Sequence, residues 1–211
     1  MRKTAFIFMG VVLIAISTNA QPDYLEQLRR QELKKQQEVA LQLAADTSVT
    51  AKVLKAKVDA CESGAILAAA ESMDTTLIPY LKLLAADEER RKRRNSVAFE
   101  AQVALAKLGD NEAFSQILDE LESVKRGQIE GSAVIMKLGL IASKEAYRIL
   151  YGLLDDQTRP PSEAKDMFYP TRSVATMSVL AITVKDPPTG KDRYSVEAWK
   201  TWFERNRHLI D

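Results

Sequence analysis

Asp110-Asn-Glu-Ala-Phe114, Ser143-Lys-Glu-Ala-Tyr147 and Ser195-Val-Glu-Ala-Trp199 are three copies of one phrase: a short polar residue, any residue, Glu, Ala, an aromatic. The first two copies begin 33 residues apart and the last two 52. Each opens an apolar pattern of helical period, so the phrase marks the start of a repeated helix. The leading Asp or Ser is an N-cap, whose side chain accepts a hydrogen bond from an orphan first-turn N–H, worth about 1 kcal/mol. Glu two residues later faces the positive end of the helix. Ala lets a neighbouring helix come close, and the aromatic is expected as the first deep residue of the buried face. Every member has a structural reason to be present, so the phrase is read as scaffold and not as a ligand site.

Outward from the phrase, the buried face follows the spacing i, i+3, i+4, i+7: Phe114, Ile117, Leu118 and Leu121. A shift of 33 residues lands on Tyr147, Leu150, Tyr151 and Leu154, and a shift back by 37 on Leu77, Tyr80, Leu81 and Leu84. The last copy has Trp199, Trp202 and Phe203, with the polar Asn206 where Leu would close the face, as suits a terminal repeat whose outer side meets water. Between these helices lie other apolar patterns. Val97, Ala101, Ala104, Leu105 and Leu108 share one face before Gly109, a good C-terminal stop. Val134, Leu138 and Ile141 form the next, and Val174, Met177 and Leu180 the one after. Residues 155–170, with Pro160-Pro161 and Pro170, are an insertion.

Helix pairs of about 33 residues, the Leu108-Gly109-Asp110 turn and the ending from Pro188-Thr-Gly to Glu197-Ala-Trp-Lys-Thr-Trp202 carry a resemblance. Over about residues 50–208 the chain resembles the bacterial HEAT-like repeats, including those named for phycobilisome lyases, and its close is similar to that of many exported HEAT-repeat proteins. The resemblance implies a right-handed stack of antiparallel helix pairs, the second helices lining a concave face that binds other proteins. The expected fold is all-α: a short α-solenoid of about four antiparallel helix pairs over residues 47–211. Lys82, Ser115, Asp119 and Arg148 are examples of residues expected to face outward from the second helices.

The chain begins as exported proteins do. Arg2 and Lys3 precede an apolar run from Ala5 to Ile16, and Thr18 and Ala20 are small residues suited to signal peptidase. A signal peptide over 1–20, cleaved after Ala20, is expected; an uncleaved anchor is the alternative. Residues 21–46 read as one charged, Gln-rich helix capped by Asp23, without a heptad. Of 211 residues, 46% are hydrophobic, enough for one core. Removal of Arg2 and Lys3 leaves 28 basic against 29 acidic residues, so no global field favours nucleic acid. Cys61 is the one cysteine. It excludes an internal disulfide, and reads as a small buried side chain before an intermolecular bridge or reactive thiol.

No catalytic constellation emerges. His208 is the one histidine and stands near the end of the chain, a poor place to hold a base, and no metal-ligand spacing or glycine-rich phosphate loop occurs. Carboxylates fall mostly on faces expected to be exposed. No residue is singled out as catalytic, cofactor-binding or metal-ligating. Arg90-Arg-Lys-Arg-Arg94 is the one sharp charge feature, read first as a solvated turn and second as a contact for an acidic surface. Trp199 and Trp202 are read as one packed face. Phe168-Tyr169-Pro170 is read as loop packing, with a binding role as the alternative. The expectation is a non-enzymatic protein-protein interaction scaffold or adaptor of the bacterial cell envelope, periplasmic or secreted. It would have a protein partner, no cofactor, no nucleic acid and no stable membrane insertion after signal cleavage. The alternatives are an accessory or chaperone-like subunit of an envelope enzyme, or a binder of an anionic surface through Arg90–Arg94.

Overall fold

Capping decides where the helices start. Asp110, Ser143 and Ser195 each accept a hydrogen bond from the backbone N–H of the phrase's Ala: Ala113 at 2.9 Å, Ala146 at 3.2 Å and Ala198 at 3.2 Å. Ser96 and Thr171 do the same for the N–H groups of Phe99 and Val174. The structure, a computed structural model, describes residues 56, 58, 60, 65–87, 91–92, 96–127, 131–159 and 171–211. The signal peptide over 1–20, the helix over 21–46, Cys61, Arg90, Arg93, Arg94 and Phe168-Tyr169-Pro170 lie outside the described residues. Among the described residues the chain is all-α, with eight α-helices and no strand. They are α1 (Ala65–Glu71), α2 (Ile78–Ala85), α3 (Val97–Lys107), α4 (Asn111–Lys125), α5 (Ser132–Ile141), α6 (Lys144–Leu153), α7 (Arg172–Thr183) and α8 (Val196–Arg205). Short 3-10 turns at Thr75–Leu77, Gly190–Tyr194 and Arg207–Leu209 complete them.

The helices are of two kinds. In α3 every residue from Ala98 to Leu105 is buried, and in α5 so are Ala133, Val134, Ile135 and Lys137 to Ile141. A helix buried on all sides needs neighbours on all sides. Accordingly α3 packs against α1, α2, α4 and α5, and α5 against α3, α4, α6 and α7. The single faces expected for these two helices are thus too narrow: Val97, placed on the buried face, is only half-buried, while Phe99 and Val103 are fully covered. Their small residues allow the close approach. A Cβ added to Gly139 in α5 would lie 2.3 Å from a Val179 methyl of α7.

The helices opened by the phrase are amphipathic instead. In α4 the buried set is Ala113, Ile117, Leu121 and Val124; in α6 it is Ala146, Tyr147, Leu150 and Leu153. The phrase's Ala is therefore a core residue in both, and Phe114, expected to be deep, is half-buried beside the buried Ala113. Tyr147 and Trp199 are buried as expected. The turn between α3 and α4 closes a Schellman motif: Asp110 N–H donates to the Leu105 carbonyl and Gly109 N–H to that of Ala106, with Gly109 at φ +87°.

Aromatic residues close the far end. Phe203 meets Tyr147 and Tyr151 edge-on, at centroid distances of 6.4 and 5.4 Å, and Trp202 lies between Trp199 and Phe203. Both indole N–H groups donate to loop carbonyls, Trp199 to Arg193 and Trp202 to Asp186, each at 2.8 Å. The two tryptophans thus tie the 186–194 loop to α8, the packed role expected of them. Asn206 terminates α8, its side-chain amide donating to the Trp202 carbonyl.

Candidate functional site

Polar side chains meet between α3, α4 and α5, and a separate polar pair joins Arg91 to α4. Lys137 stands in the apolar run Val134–Ile141, has no exposed surface, and pairs with Glu120 of α4 at 2.5 Å. Its ammonium also sits 5.6 Å from the centre of the Phe99 ring. Burial pulls the Lys137 ammonium below the usual lysine range, with Glu120 opposing that pull. Glu120 accepts in addition from the amide of Gln102 on α3, at 3.5 Å. Gln102 is wholly buried. Arg91 donates to Gln116 of α4 at 2.8 Å. Of the basic run Arg90–Arg94, the structure describes Arg91 as half-buried and Lys92 as exposed.

A cavity of about 200 Å³ opens among α2, α3 and α4, reached by Lys82, Arg91, Gln102, Asp110, Glu112 and Gln116. Lys82 bridges α2 to the start of α4, with its Nζ 3.0 Å from Asp110 and 3.7 Å from Glu112. Burial pushes the Asp110 carboxyl up, but the Ala113 N–H and Lys82 outweigh it and hold the group below the usual carboxylate range. The cap of the first complete phrase is therefore also an ionic tie to the preceding helix.

A larger groove, of about 650 Å³, runs between α4 and α6. Leu118, Leu121, Ile149 and Leu153 form its apolar lining, and charged groups edge it. Lys125 is engaged by Glu122 at 2.7 Å, and the Arg148 guanidinium by the carbonyl oxygens of Ile210 and Asp211. At one end stands Asp156, bound by Arg172 at 2.9 Å. Asp156 also receives the Thr158 N–H at 2.9 Å. Burial pushes its carboxyl up; Thr158 and Arg172 outweigh this and hold it below the usual range.

Of the four residues expected to face outward, Asp119 and Arg148 line this groove, and Lys82 lines the smaller cavity. Ser115 is exposed. His208 is exposed, in the last 3-10 turn. Among the described residues no group of three His, Cys, Asp or Glu side chains is placed to hold a metal ion. No helix among them is long and apolar enough to cross a membrane. Lys137, Gln102 and Arg172 were not anticipated. A lysine inside an eight-residue apolar run, and a Gln in the Ala-rich stretch Ala98–Leu105, were the signals available. No family model matches the chain, and no curated protein or solved structure matches it either.

Proposed function

We propose that the chain is a non-enzymatic scaffold that binds another protein in the cell envelope, built as a short α-solenoid of about four antiparallel helix pairs of the HEAT-like kind. The succession of contacts supports this architecture: α1 packs on α3, α3 on α5 and α5 on α7, while the intervening α4 and α6 are amphipathic. Such a stack leaves its second helices to build a continuous surface. Export to the periplasm or beyond rests on the charged start, apolar run and small residues of positions 1–20.

The observation that carries the binding role is the α4–α6 groove, where Leu118 and Ile149 reach the surface between charged edges. An apolar strip rimmed by charge is the usual form of a protein contact. Contact of the basic run with an anionic surface has less support, because Arg91 is half-buried and engaged with Gln116.

The test places a photo-crosslinking amino acid at position 149, and separately at the exposed Lys185 as a control, in the chain expressed in its own cells. A discrete adduct from position 149 is expected, absent from position 185 and abolished by Leu118→Glu at unchanged thermal stability. Equal adducts from both positions, or none, would remove the groove as a binding surface.

A further inference from the structure

Gly152 lies inside α6, and nothing within the described chain requires glycine there. Its φ is not positive, and a Cβ at this position would meet no described atom within 4 Å. Gly139, the other glycine inside a described α-helix, is held small by a Val179 methyl of α7. Glycine in a helix costs about 1 kcal/mol against alanine. The bare backbone at the exposed Gly152 therefore suits a close approach from outside. It lines the α4–α6 groove together with Leu118, Leu121, Ile149 and Leu153.

The charges at this groove leave one group over. Lys125 is engaged by Glu122, Arg148 by the carbonyl oxygens of Ile210 and Asp211, and Asp156 by Arg172. Of the five charged side chains lining the groove, only the exposed Asp119 has no side-chain partner among the described residues. A cation on an occupant would answer it.

The walls decide the form of that occupant. Both are α-helices, whose backbone groups bond within themselves. An extended chain finds no strand edge here and would lay its own N–H and C=O groups unpaired against an apolar strip. A helix arrives with those groups already bonded. The lining on α4 runs from Leu118 to Lys125, about 10 Å at the helical rise, which is the reach of about two helical turns.

The geometry points to an amphipathic helix of a partner protein as the occupant, with its apolar face on Leu118 and Ile149, its backbone close to Gly152, and a Lys or Arg on its flank paired with Asp119. This rests on the scaffold reading above and narrows it to one kind of partner.

The experiment selects from a displayed library of random linear peptides on the full chain, with the Leu118→Glu chain used to remove peptides that bind elsewhere. The peptides kept should carry apolar residues at i, i+3 or i+4, and i+7, with an excess of Lys and Arg. Asp119→Lys should weaken them about fivefold or more. Asp192→Lys, the same charge change on the 186–194 loop, should leave them unaffected. Gly152→Leu fills open space, so it should keep the thermal stability and weaken binding about tenfold or more. Acidic, uncharged or strand-patterned peptides, indifference to Asp119→Lys or Gly152→Leu, or no Leu118-dependent peptide at all would overturn the proposal. So would a dimer of the chain in sedimentation that Leu118→Glu dissolves, because the groove would then belong to a second copy. A partner crosslinked from position 149 alongside any of the peptide failures would keep the scaffold reading and remove only the cationic helix.

Discussion

Arg172 Nη1 lies 2.9 Å from Asp156 Oδ2, and the same guanidinium donates from Nη2 to the carbonyl oxygens of Val124 and Lys125 at the end of α4. One side chain at the start of α7 thus binds the loop after α6 and caps α4. Ser173 beside it donates to the Leu154 carbonyl. Lysine cannot reproduce this, because a single ammonium lacks the planar fork. Arg172→Met should cost about 3 kcal/mol, since it strands a carboxylate and buried carbonyls together. Arg172→Lys should recover less than half of that loss. Urea unfolding of the two variants checks both figures.

Lys137 and Glu120 form the second buried pair, and its two halves should not behave alike. Lys137 has no exposed surface, while the Glu120 side chain keeps 16%. Glu120→Leu leaves an ammonium in the core beside the Phe99 ring and in the repulsive field of Arg91 and Lys92, and should cost about 3–4 kcal/mol. Lys137→Met leaves a carboxylate that water can still reach, and should cost less. The double variant should regain most of the stability, because apolar replacement of a whole buried pair is often neutral. A double-mutant cycle showing simple additivity would deny the coupling.

Stability should fall as the pH rises between about 4.5 and 7. Burial pushes the Glu100 carboxyl up from its ordinary 4.5 to about 7. The folded state therefore holds a proton that the unfolded chain releases across that window, and folding is penalised progressively until both forms are ionised. The full penalty is up to about 3 kcal/mol. Asp110 and Asp156 act oppositely: both are held below 3.8, so their contribution is complete above that value and is lost as the pH falls through their folded values. These three groups place the stability maximum near pH 4–5. Glu100→Gln should flatten the decline above it, as denaturant midpoints at pH 4.5 and 7.5 would reveal.

What could be read from the sequence was local, and what could not was set by neighbours. Ser143, Asp110 and Ser195 cap their helices because a cap needs only the three residues that follow it. The tryptophan pair was legible for the same reason, since i and i+3 share a face. Phe114 is shallower than its place in the phrase predicts, because depth depends on what lies opposite, and Ala113 takes the buried place. Arg172 could not be foreseen at all. Its partners Val124 and Asp156 are 48 and 16 residues away, on a carbonyl and a loop that only the packing of α4, α6 and α7 brings together. The same holds for the smaller cavity, which Arg91 lines from a run read as solvated and Gln102 from a position outside the face read as apolar.

The two helix ends before α4 and α6 make opposite predictions from one rule. The chain leaves α3 through Gly109 at φ +87° and leaves α5 through Ala142 at φ +55°, so both residues occupy left-handed space. Glycine enters that region freely, whereas alanine sets its Cβ against the following carbonyl at about 1–2 kcal/mol. A Cβ at Gly109 would meet nothing within 4 Å, so Gly109→Ala tests backbone strain alone and should cost about 1 kcal/mol. Ala142 is exposed, and its N–H closes α5 on the Leu138 carbonyl at 3.3 Å. Ala142→Gly should relieve the strain at some cost in unfolded-chain entropy, for a net gain of about 0.5 kcal/mol. Thermal unfolding of the two variants checks the signs. A stabilising Gly109→Ala would mean that the Schellman turn is not formed, and a destabilising Ala142→Gly that α5 does not end at Ile141.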